Sequence, residues 1–90
     1  NLSPYDPFIA NACGTYLCSN GLYGEADKEF LAAASSPLNT SPWVALTNAG
    51  LCYERNGQYS IARQRVQSAL NLKSDFPQAR SAMKRLRGKG

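Results

Sequence analysis

Three cysteines are the side chains of this 90-residue chain best suited to covalent or metal chemistry. Cys13, Cys18 and Cys52 lack the paired short spacing of zinc sites and of thioredoxin-type redox sites. The spacing therefore argues against a metal site or a redox-catalytic site. Two states stay open for these thiols, a disulfide in an oxidising compartment or reduced core residues in a cytosolic protein.

Acid and base catalysis has few candidate groups in the sequence. The chain has no histidine, the commonest general base and metal ligand. It also has no Gly-rich phosphate loop and no nucleophile elbow. Glu25, Asp27 and Glu29 lie close together on what we expect to be one exposed turn, which does not suit an acid and base pair. We therefore predict a protein that is not an enzyme, with no catalytic residue, no cofactor and no bound metal.

The chain contains two nearly equivalent copies of the elements that position these residues. Nine pairs of like residues lie 36 positions apart, which is the signature of a repeat protein. The first copy contains Ala10, Cys13, Gly14, Leu17, Gly21, Tyr23, Ala26, Phe30 and Ala33, and the second contains Leu46, Ala49, Gly50, Tyr53, Gly57, Tyr59, Ala62, Val66 and Ala69. Each copy has two apolar stripes at helical spacing, separated by a glycine that can end a helix. The pattern predicts a helical hairpin in each copy, with Gly14 and Gly50 where two helices approach closely.

The combination of small, aromatic and Gly-turn residues resembles the tetratricopeptide repeat. It predicts an all-α, superhelical solenoid of two helical hairpins and a carboxyl-terminal capping helix, forming one domain over 1–90. The predicted parts are repeat one over 6–36, a linker over 37–41, repeat two over 42–74 and the capping helix over 76–87. We expect five helices, near 6–19, 22–35, 42–56, 58–72 and 76–87, and no sheet. Two repeats are fewer than such arrays normally need, so we expect a fragment of a longer protein.

Two helix starts carry a recognisable signal. Asp6 and Ser41 each stand directly before a proline that suits the first turn of a helix. Both side chains can accept hydrogen bonds from the first free backbone N–H groups. We therefore predict that Asp6 and Ser41 cap the helices that follow them.

The repeat geometry places two of the cysteines on neighbouring helices. First helices of consecutive repeats are expected to run side by side, so the residue that matches Cys18 is Glu54. Cys52 comes two residues earlier, roughly 3 Å along the helix axis and about 200° around it. If Cys18 points toward the second repeat, Cys52 points back toward the first, and we hypothesise a disulfide between them. Cys13 matches Ala49 and is expected to be free and buried. The alternative is that all three cysteines are reduced core residues.

Charge is concentrated at one end of the chain. Residues 73–90 contain six basic residues and Asp75, a sum of +5, whereas residues 1–72 sum to −1. A solvated face on a capping helix, with Lys and Arg favoured near its carboxyl end by the helix dipole, accounts for this segment. No aromatic interleaving and no groove-reading motif accompanies it, so we predict no nucleic-acid partner.

The inner faces of the first helices are the predicted partner-binding groove. Its residues are Phe8, Asn11, Thr15, Ser19, Val44, Thr47, Asn48, Leu51 and Arg55. Most are apolar or carry a hydroxyl group, which favours a helix or an extended segment of a partner protein. Only Asn48 and Arg55 could clamp a terminal carboxylate, as a cytosolic peptide-binding adaptor would. A scaffold that acts through the basic tail is a second alternative.

A closer resemblance covers nearly the whole chain. It rests on the runs PYDP at 4–7, NACGTYLC at 11–18, NAGLC at 48–52, AL at 69–70 and FPQA at 76–79. These resemble the carboxyl-terminal repeats of the type IV pilus biogenesis and stability lipoproteins of the PilW/PilF type. The resemblance implies a periplasmic, outer-membrane-associated protein that binds a secretin subunit or another pilus-assembly component. It implies membrane contact only through a lipid anchor outside this fragment. An oxidising periplasm would suit the hypothesised disulfide. The alternative location is the cytoplasm.

Overall fold

Five helices make up most of residues 6–89, the part of the chain that this computed structural model describes. They are α1 (Pro7–Ser19), α2 (Tyr23–Ser35), α3 (Pro42–Arg55), α4 (Tyr59–Leu72) and α5 (Pro77–Arg87). No strand occurs within residues 6–89. The predicted all-α fold is confirmed, and each predicted helix end agrees to within one residue. Residues 1–5, which include part of the PYDP run, and residue 90 lie outside the described range.

Both hairpins turn by the same backbone motif. Gly21 and Gly57 adopt φ angles of +79° and +75°, in the left-handed region that glycine enters without a steric penalty. At the first turn the N–H of Leu22 donates to the carbonyl of Leu17 at 2.9 Å, and the N–H of Gly21 donates to that of Cys18 at 3.0 Å. The second turn repeats these bonds 36 residues later. This pair of bonds is the Schellman motif, and it fixes the direction of the second helix of each hairpin.

The two predicted helix caps differ in outcome. Asp6 caps α1, since its Oδ1 accepts from the N–H groups of Phe8 at 2.9 Å and Ile9 at 3.4 Å. Ser41 makes no side-chain capping bond at α3, so that prediction is wrong. Asn39 fixes this end of the linker instead. Its Oδ1 accepts from the Ser41 N–H, and its Nδ2 donates to the Ala33 carbonyl, each at 2.8 Å.

The helices pack in chain order into two layers. Each helix packs against the next one, and smaller contacts join α1 to α3 and α3 to α5. The first helices α1, α3 and α5 therefore adjoin one another on one side, with α2 and α4 on the other. The Cα atoms extend over 44 × 28 × 15 Å along the principal axes, as expected for two layers that lengthen along one direction.

Glycine permits the closest helix contacts inside each hairpin, as predicted. A Cβ atom at Gly14 would lie 2.6 to 2.8 Å from ring atoms of Phe30. A Cβ atom at Gly50 would lie 2.5 Å from Cγ2 of Val66 and 3.1 Å from the carbonyl oxygen of Ala62. The largest core cluster joins α3, α4 and α5, and α5 contributes its buried Leu86 to it. This contact covers the apolar face of the second hairpin.

Candidate functional site

A cleft of about 240 Å³ opens between the amino-terminal halves of α1 and α3, beside the linker that precedes α3. Its lining residues are Pro7, Phe8, Asn11, Leu38, Asn39, Thr40, Ser41, Val44 and Ala45. Three of them, Phe8, Asn11 and Val44, belong to the groove predicted from the sequence. The linker wall was not part of that prediction, because residues 37–41 were assigned only a connecting role.

Two large apolar side chains of the cleft are exposed to solvent. Phe8 is 86% exposed and Leu38 is 69% exposed. Leu38 stands on a turn that side chains hold in place, since its N–H donates to Oγ of Ser36 at 3.2 Å and Asn39 anchors the residues that follow. Exposed aromatic and aliphatic groups around one cleft are typical of surfaces that bind a partner.

Asn11 on α1 and Asn48 on α3 lie opposite each other and form a hydrogen bond. The Nδ2 atom of Asn48 on α3 donates to Oδ1 of Asn11 on α1 at 3.1 Å. Among the described residues, Nδ2 of Asn11 and Oδ1 of Asn48 make no hydrogen bond to another side chain. One donor and one acceptor thus remain beside the apolar cleft, and this pair is what a backbone peptide group of a bound segment requires.

The other predicted groove residues are dispersed. Thr15 and Ser19 are exposed on α1, where their hydroxyl groups donate to the carbonyls of Asn11 and Tyr16. Thr47 does not line an accessible surface, because it is 1% exposed and its hydroxyl donates to the Trp43 carbonyl at 2.7 Å. This position belongs to the interior of the molecule.

The carboxyl-terminal end of the predicted groove lies farther along α3. Leu51 is half-buried and lines a separate depression with Pro77, Gln78, Ser81 and Arg85 between α3 and α5. Arg55 is exposed in the last turn of α3. The structure thus brings Phe8, Asn11, Val44 and Asn48 together and leaves Leu51 and Arg55 outside the cleft.

A disulfide between Cys18 and Cys52 joins α1 to α3, as hypothesised. Their Cα atoms are 5.9 Å apart, and both residues are buried in one cluster with Ala26, Phe30 and Ala49. The bond fixes the spacing of the two helices that form the cleft.

Cys13 is free, as expected, but it is exposed, so the prediction of a buried thiol is wrong. The matching residue Ala49 is buried because α3 packs against the first hairpin. No helix among residues 6–89 covers the corresponding face of α1. Burial of a residue at the position of Cys13 and Ala49 therefore depends on a neighbouring helix and not on the apolar stripe of its own helix.

A buried ion pair occupies the position where an exposed carboxylate was expected. Asp27 is 7% exposed and accepts hydrogen bonds from Nε and Nη2 of Arg65 at 2.8 and 2.7 Å. The hydroxyl of Tyr53 donates to the same carboxylate at 3.0 Å. The cluster ties α2, α3 and α4 together. Its signal in the sequence was the position of Asp27 on the apolar stripe of α2, four residues after Tyr23 and three before Phe30.

The surroundings of Tyr53 and Arg65 raise the pKa of both groups. Burial, followed by the hydrogen bond to Asp27 and the charge of that carboxylate, raises the pKa of Tyr53 above its ordinary value. The hydrogen bonds to Asp27 also raise the pKa of the Arg65 guanidinium. Tyr53 therefore stays a neutral donor and Arg65 stays charged, which suits a structural bridge and not proton transfer.

Within residues 6–89, no group of three or more His, Cys, Asp or Glu side chains is arranged to hold a metal ion. None of the described helices has both the length and the apolarity needed to cross a membrane. Comparison with protein-family models, with curated protein sequences and with solved structures finds no match to this chain.

Proposed function

We propose that this chain is a tetratricopeptide-type repeat protein that binds a segment of another protein in the cleft between α1 and α3 and catalyses no reaction. The observation that carries the proposal is the composition of the cleft. Exposed Phe8 and Leu38 stand beside the Asn11–Asn48 pair, whose second donor and second acceptor bond to no other described side chain and can engage a peptide group. Apolar pockets combined with backbone hydrogen bonds are a general means of peptide recognition.

The repeat assignment rests on agreement between the two hairpins. Their turns use the same bonds around Gly21 and Gly57, and their helices touch at the matching glycines Gly14 and Gly50. The last helix, α5, then packs on the second hairpin. Stacking of equivalent hairpins, each in contact with its neighbours, is how a helical solenoid buries its core.

The ligand class follows from the size and polarity of the cleft. A volume of about 240 Å³ gives room for a bulky apolar side chain but not for a whole helix. The amide pair lies beside this space and would hold the peptide group next to that side chain. We therefore propose an extended segment with an apolar anchor residue as the ligand.

The cellular role is proposed from the family resemblance together with the disulfide. A disulfide is compatible with an oxidising compartment such as the bacterial periplasm. We propose a periplasmic, outer-membrane-associated protein of type IV pilus biogenesis, with a secretin subunit or another pilus-assembly component as its partner. Any membrane attachment would lie in a lipid anchor outside these 90 residues.

The test measures binding of the chain to the periplasmic domain of a type IV pilus secretin by surface plasmon resonance. Phe8→Ala removes the most exposed apolar group of the cleft and should weaken binding by roughly 10- to 30-fold, as expected for a hot-spot residue. Tyr16→Ala is the matched control, because Tyr16 is also a strongly exposed aromatic residue of α1 but does not line the cleft. It should change affinity less than about twofold.

Each outcome separates one part of the proposal. Equal losses in the two variants would remove the cleft as the binding site. If the secretin domain does not bind but a peptide library with apolar anchors does, with loss in Phe8→Ala, the cleft stands and the pilus role fails. A strong preference for a free over an amidated peptide carboxyl terminus would favour the cytosolic adaptor.

A further inference from the structure

A second groove, separate from the cleft, runs between α4 and α5. Two adjoining depressions of about 690 and 660 Å³ share Gln67, Met83 and Arg87 in their lining. The α5 side carries Arg80, Lys84 and Arg87. The α4 side carries amide and hydroxyl groups, from Ser60, Gln64, Gln67 and Ser68. No acidic residue is among the described residues that line this groove.

The cations of this groove have no acidic partner in the described part of the chain. The ion pairs between residues 6 and 89 engage Arg65, Lys73 and Arg85 and leave Arg80, Lys84 and Arg87 facing solvent. These three residues are spaced i, i+4 and i+7, so they form one stripe along α5.

Arg63 adds a further cation from the α4 side. Its Nη1 donates to the carbonyls of Leu86 at 3.0 Å and Lys89 at 3.3 Å. These bonds hold the guanidinium at the end of α5 and inside the groove. The groove is therefore basic on both sides.

The first part of the molecule shows how a helix fills the equivalent position. The α4 helix packs along α3, and its Arg65 reaches the carboxylate of Asp27 on α2. Thirty-six residues after Asp27 the chain has Arg63, so the charge at the matching position is reversed. Consider a further helix that packs on α5 in the way that α4 packs on α3. Arg65 of α4 meets the anion Asp27, whereas the further helix would meet the cation Arg63 at the matching position. Its complementary side chain is a carboxylate.

We propose that the groove between α4 and α5 binds an acidic amphipathic helix of another protein. Carboxylates of that helix lie against Arg63, Arg80 and Arg87, and an apolar residue packs over Met83 and Leu70. A groove between two helices accepts the side-chain ridge of a third helix. Anionic lipid headgroups are the alternative ligand for a basic surface, and the experiment includes vesicles to test them. A nucleic acid would gain from aromatic stacking, and none of the described residues that line the groove is aromatic.

The experiment uses the whole chain and two synthetic helical peptides. One peptide has glutamates along one face with a central leucine, and the other has lysines in place of those glutamates. Binding is measured by fluorescence anisotropy at several salt concentrations. We expect the glutamate peptide alone to bind the parent chain, with affinity falling as salt rises.

The deciding measurement is peptide binding by variants in which a charge inside the groove is reversed. Arg87→Glu should weaken binding of the glutamate peptide by about 3- to 10-fold, and Arg80→Glu with Arg87→Glu should weaken it further and admit the lysine peptide. Lys28→Glu is the matched control, because it makes the same change in net charge on an exposed residue of α2. Backbone amide chemical shifts should move along α4 and α5 and not at the cleft. Circular dichroism verifies that each variant is folded.

Four results would overturn the proposal. Equal losses in Arg87→Glu and Lys28→Glu would reduce the effect to net charge. Shifts confined to α1 and α3 would place the peptide in the cleft. Tighter binding to phosphatidylglycerol vesicles or to duplex RNA than to the glutamate peptide would assign the groove to a membrane or to nucleic acid. Self-association of the chain that Arg87→Glu abolishes, without peptide binding, would assign it to a second copy.

Discussion

The two hairpins share a backbone plan but have different surroundings. Cys13 and Ala49 occupy the same position in the two copies, and Cys13 is exposed while Ala49 is buried. Phe8 and Val44 also match, and Phe8 is exposed while Val44 is half-buried. The second hairpin lies between the first hairpin and α5, whereas the described residues cover the first hairpin on one side only. Helical periodicity thus determines which face of a helix is apolar, and neighbouring helices determine which of those residues are buried.

The chemistry of the matched positions differs as well. The first hairpin has Leu17 and Asp27 where the second has Tyr53 and Arg63. Arg65 of the second hairpin forms an ion pair with Asp27 of the first, and the neutral hydroxyl of Tyr53 also donates a hydrogen bond to that carboxylate. A disulfide also joins the two copies. The hairpins are therefore alike in shape and complementary in charge, and the following predictions test that distinction.

The largest expected effect comes from breaking the disulfide that joins the two hairpins. Reduction of the Cys18–Cys52 bond, or Cys18→Ser with Cys52→Ser, should lower the free energy of unfolding by about 3 to 4 kcal/mol, because the bond closes a long loop in the unfolded chain. The measurement is urea unfolding with and without reductant. A Cys13→Ser background prevents thiol exchange and by itself should cost less than about 0.5 kcal/mol. A thiol titration of the unfolded, unreduced parent that finds three free groups would refute the bond.

The next largest effect concerns the ion pair between the hairpins. Asp27→Ala leaves Arg65 partly buried without its partner, and we expect a loss of about 2 to 3 kcal/mol in the free energy of unfolding. Glu54→Ala is the control, because Glu54 accepts two hydrogen bonds from the half-exposed Arg85 on the surface. It should cost about 0.5 to 1 kcal/mol. Equal losses in chemical denaturation would show that burial adds nothing to the Asp27 pair.

The glycine contacts should differ between the two copies in a definite order. Gly50→Leu should destabilise by about 1 to 3 kcal/mol, since backbone atoms of Ala62 and Val66 lie close to the new side chain and cannot move aside. Gly14→Leu should cost less, because the three atoms nearest to the new Cβ all belong to the side chain of Phe30 and none to the backbone. Gly24→Leu should be neutral or stabilising, as no atom of the described residues outside its own stretch of helix lies within 4 Å of the new Cβ, and leucine favours the helix. Thermal melts that rank these variants otherwise would contradict the assigned contacts.

The smallest effect is a dependence of stability on alkaline pH that Tyr53 of the second hairpin should produce. The raised pKa of folded Tyr53 means that its stabilising effect is complete below about pH 10 and is lost as pH rises toward the folded pKa. Tyr53→Phe should cost about 1 kcal/mol at pH 7 through the lost hydrogen bond, and its stability should fall less steeply above pH 10 than that of the parent. Urea midpoints at a series of pH values measure this in the Cys13→Ser background. Parallel profiles for parent and variant would contradict the assignment, and Tyr16→Phe is the exposed control.

Much of the fold was predictable because its determinants are local. Helix ends follow from apolar spacing and from glycines such as Gly21 and Gly57, and these signals lie within a few residues of the structure they specify. The Cys18–Cys52 bond was predictable because the repeat carries a register from one helix to the next. That register is long-range information that most sequences lack.

The errors arise where a residue's partner is distant or its neighbour is unknown. Asp27 was expected on the surface because its partner Arg65 lies 38 residues away and no pattern links the two. Cys13 was expected to be buried by analogy with Ala49, although among residues 6–89 only the second hairpin has a neighbour on that side. Ser41 makes no side-chain capping bond, and Asn39 holds the backbone of the linker there through hydrogen bonds that depend on the conformation of the linker. The predicted groove residues do not all line one surface, and Thr47 is buried in the interior.

The disulfide also determines how the molecule would respond to a pulling force. Cys18 and Cys52 are separated by 34 positions in the chain, and the bond holds their Cα atoms 5.9 Å apart. If the two ends were pulled in an optical trap, the intervening segment could not lengthen, and the fully stretched chain would be shorter by roughly 110 Å than the reduced one. The load would pass from Cys18 directly to Cys52 through covalent bonds, so α2, the linker and residues 42–51 of α3 would carry almost no tension. The oxidised protein would thus keep Cys18 and Cys52 together, with the segment between them, under loads that unravel that segment in the reduced protein.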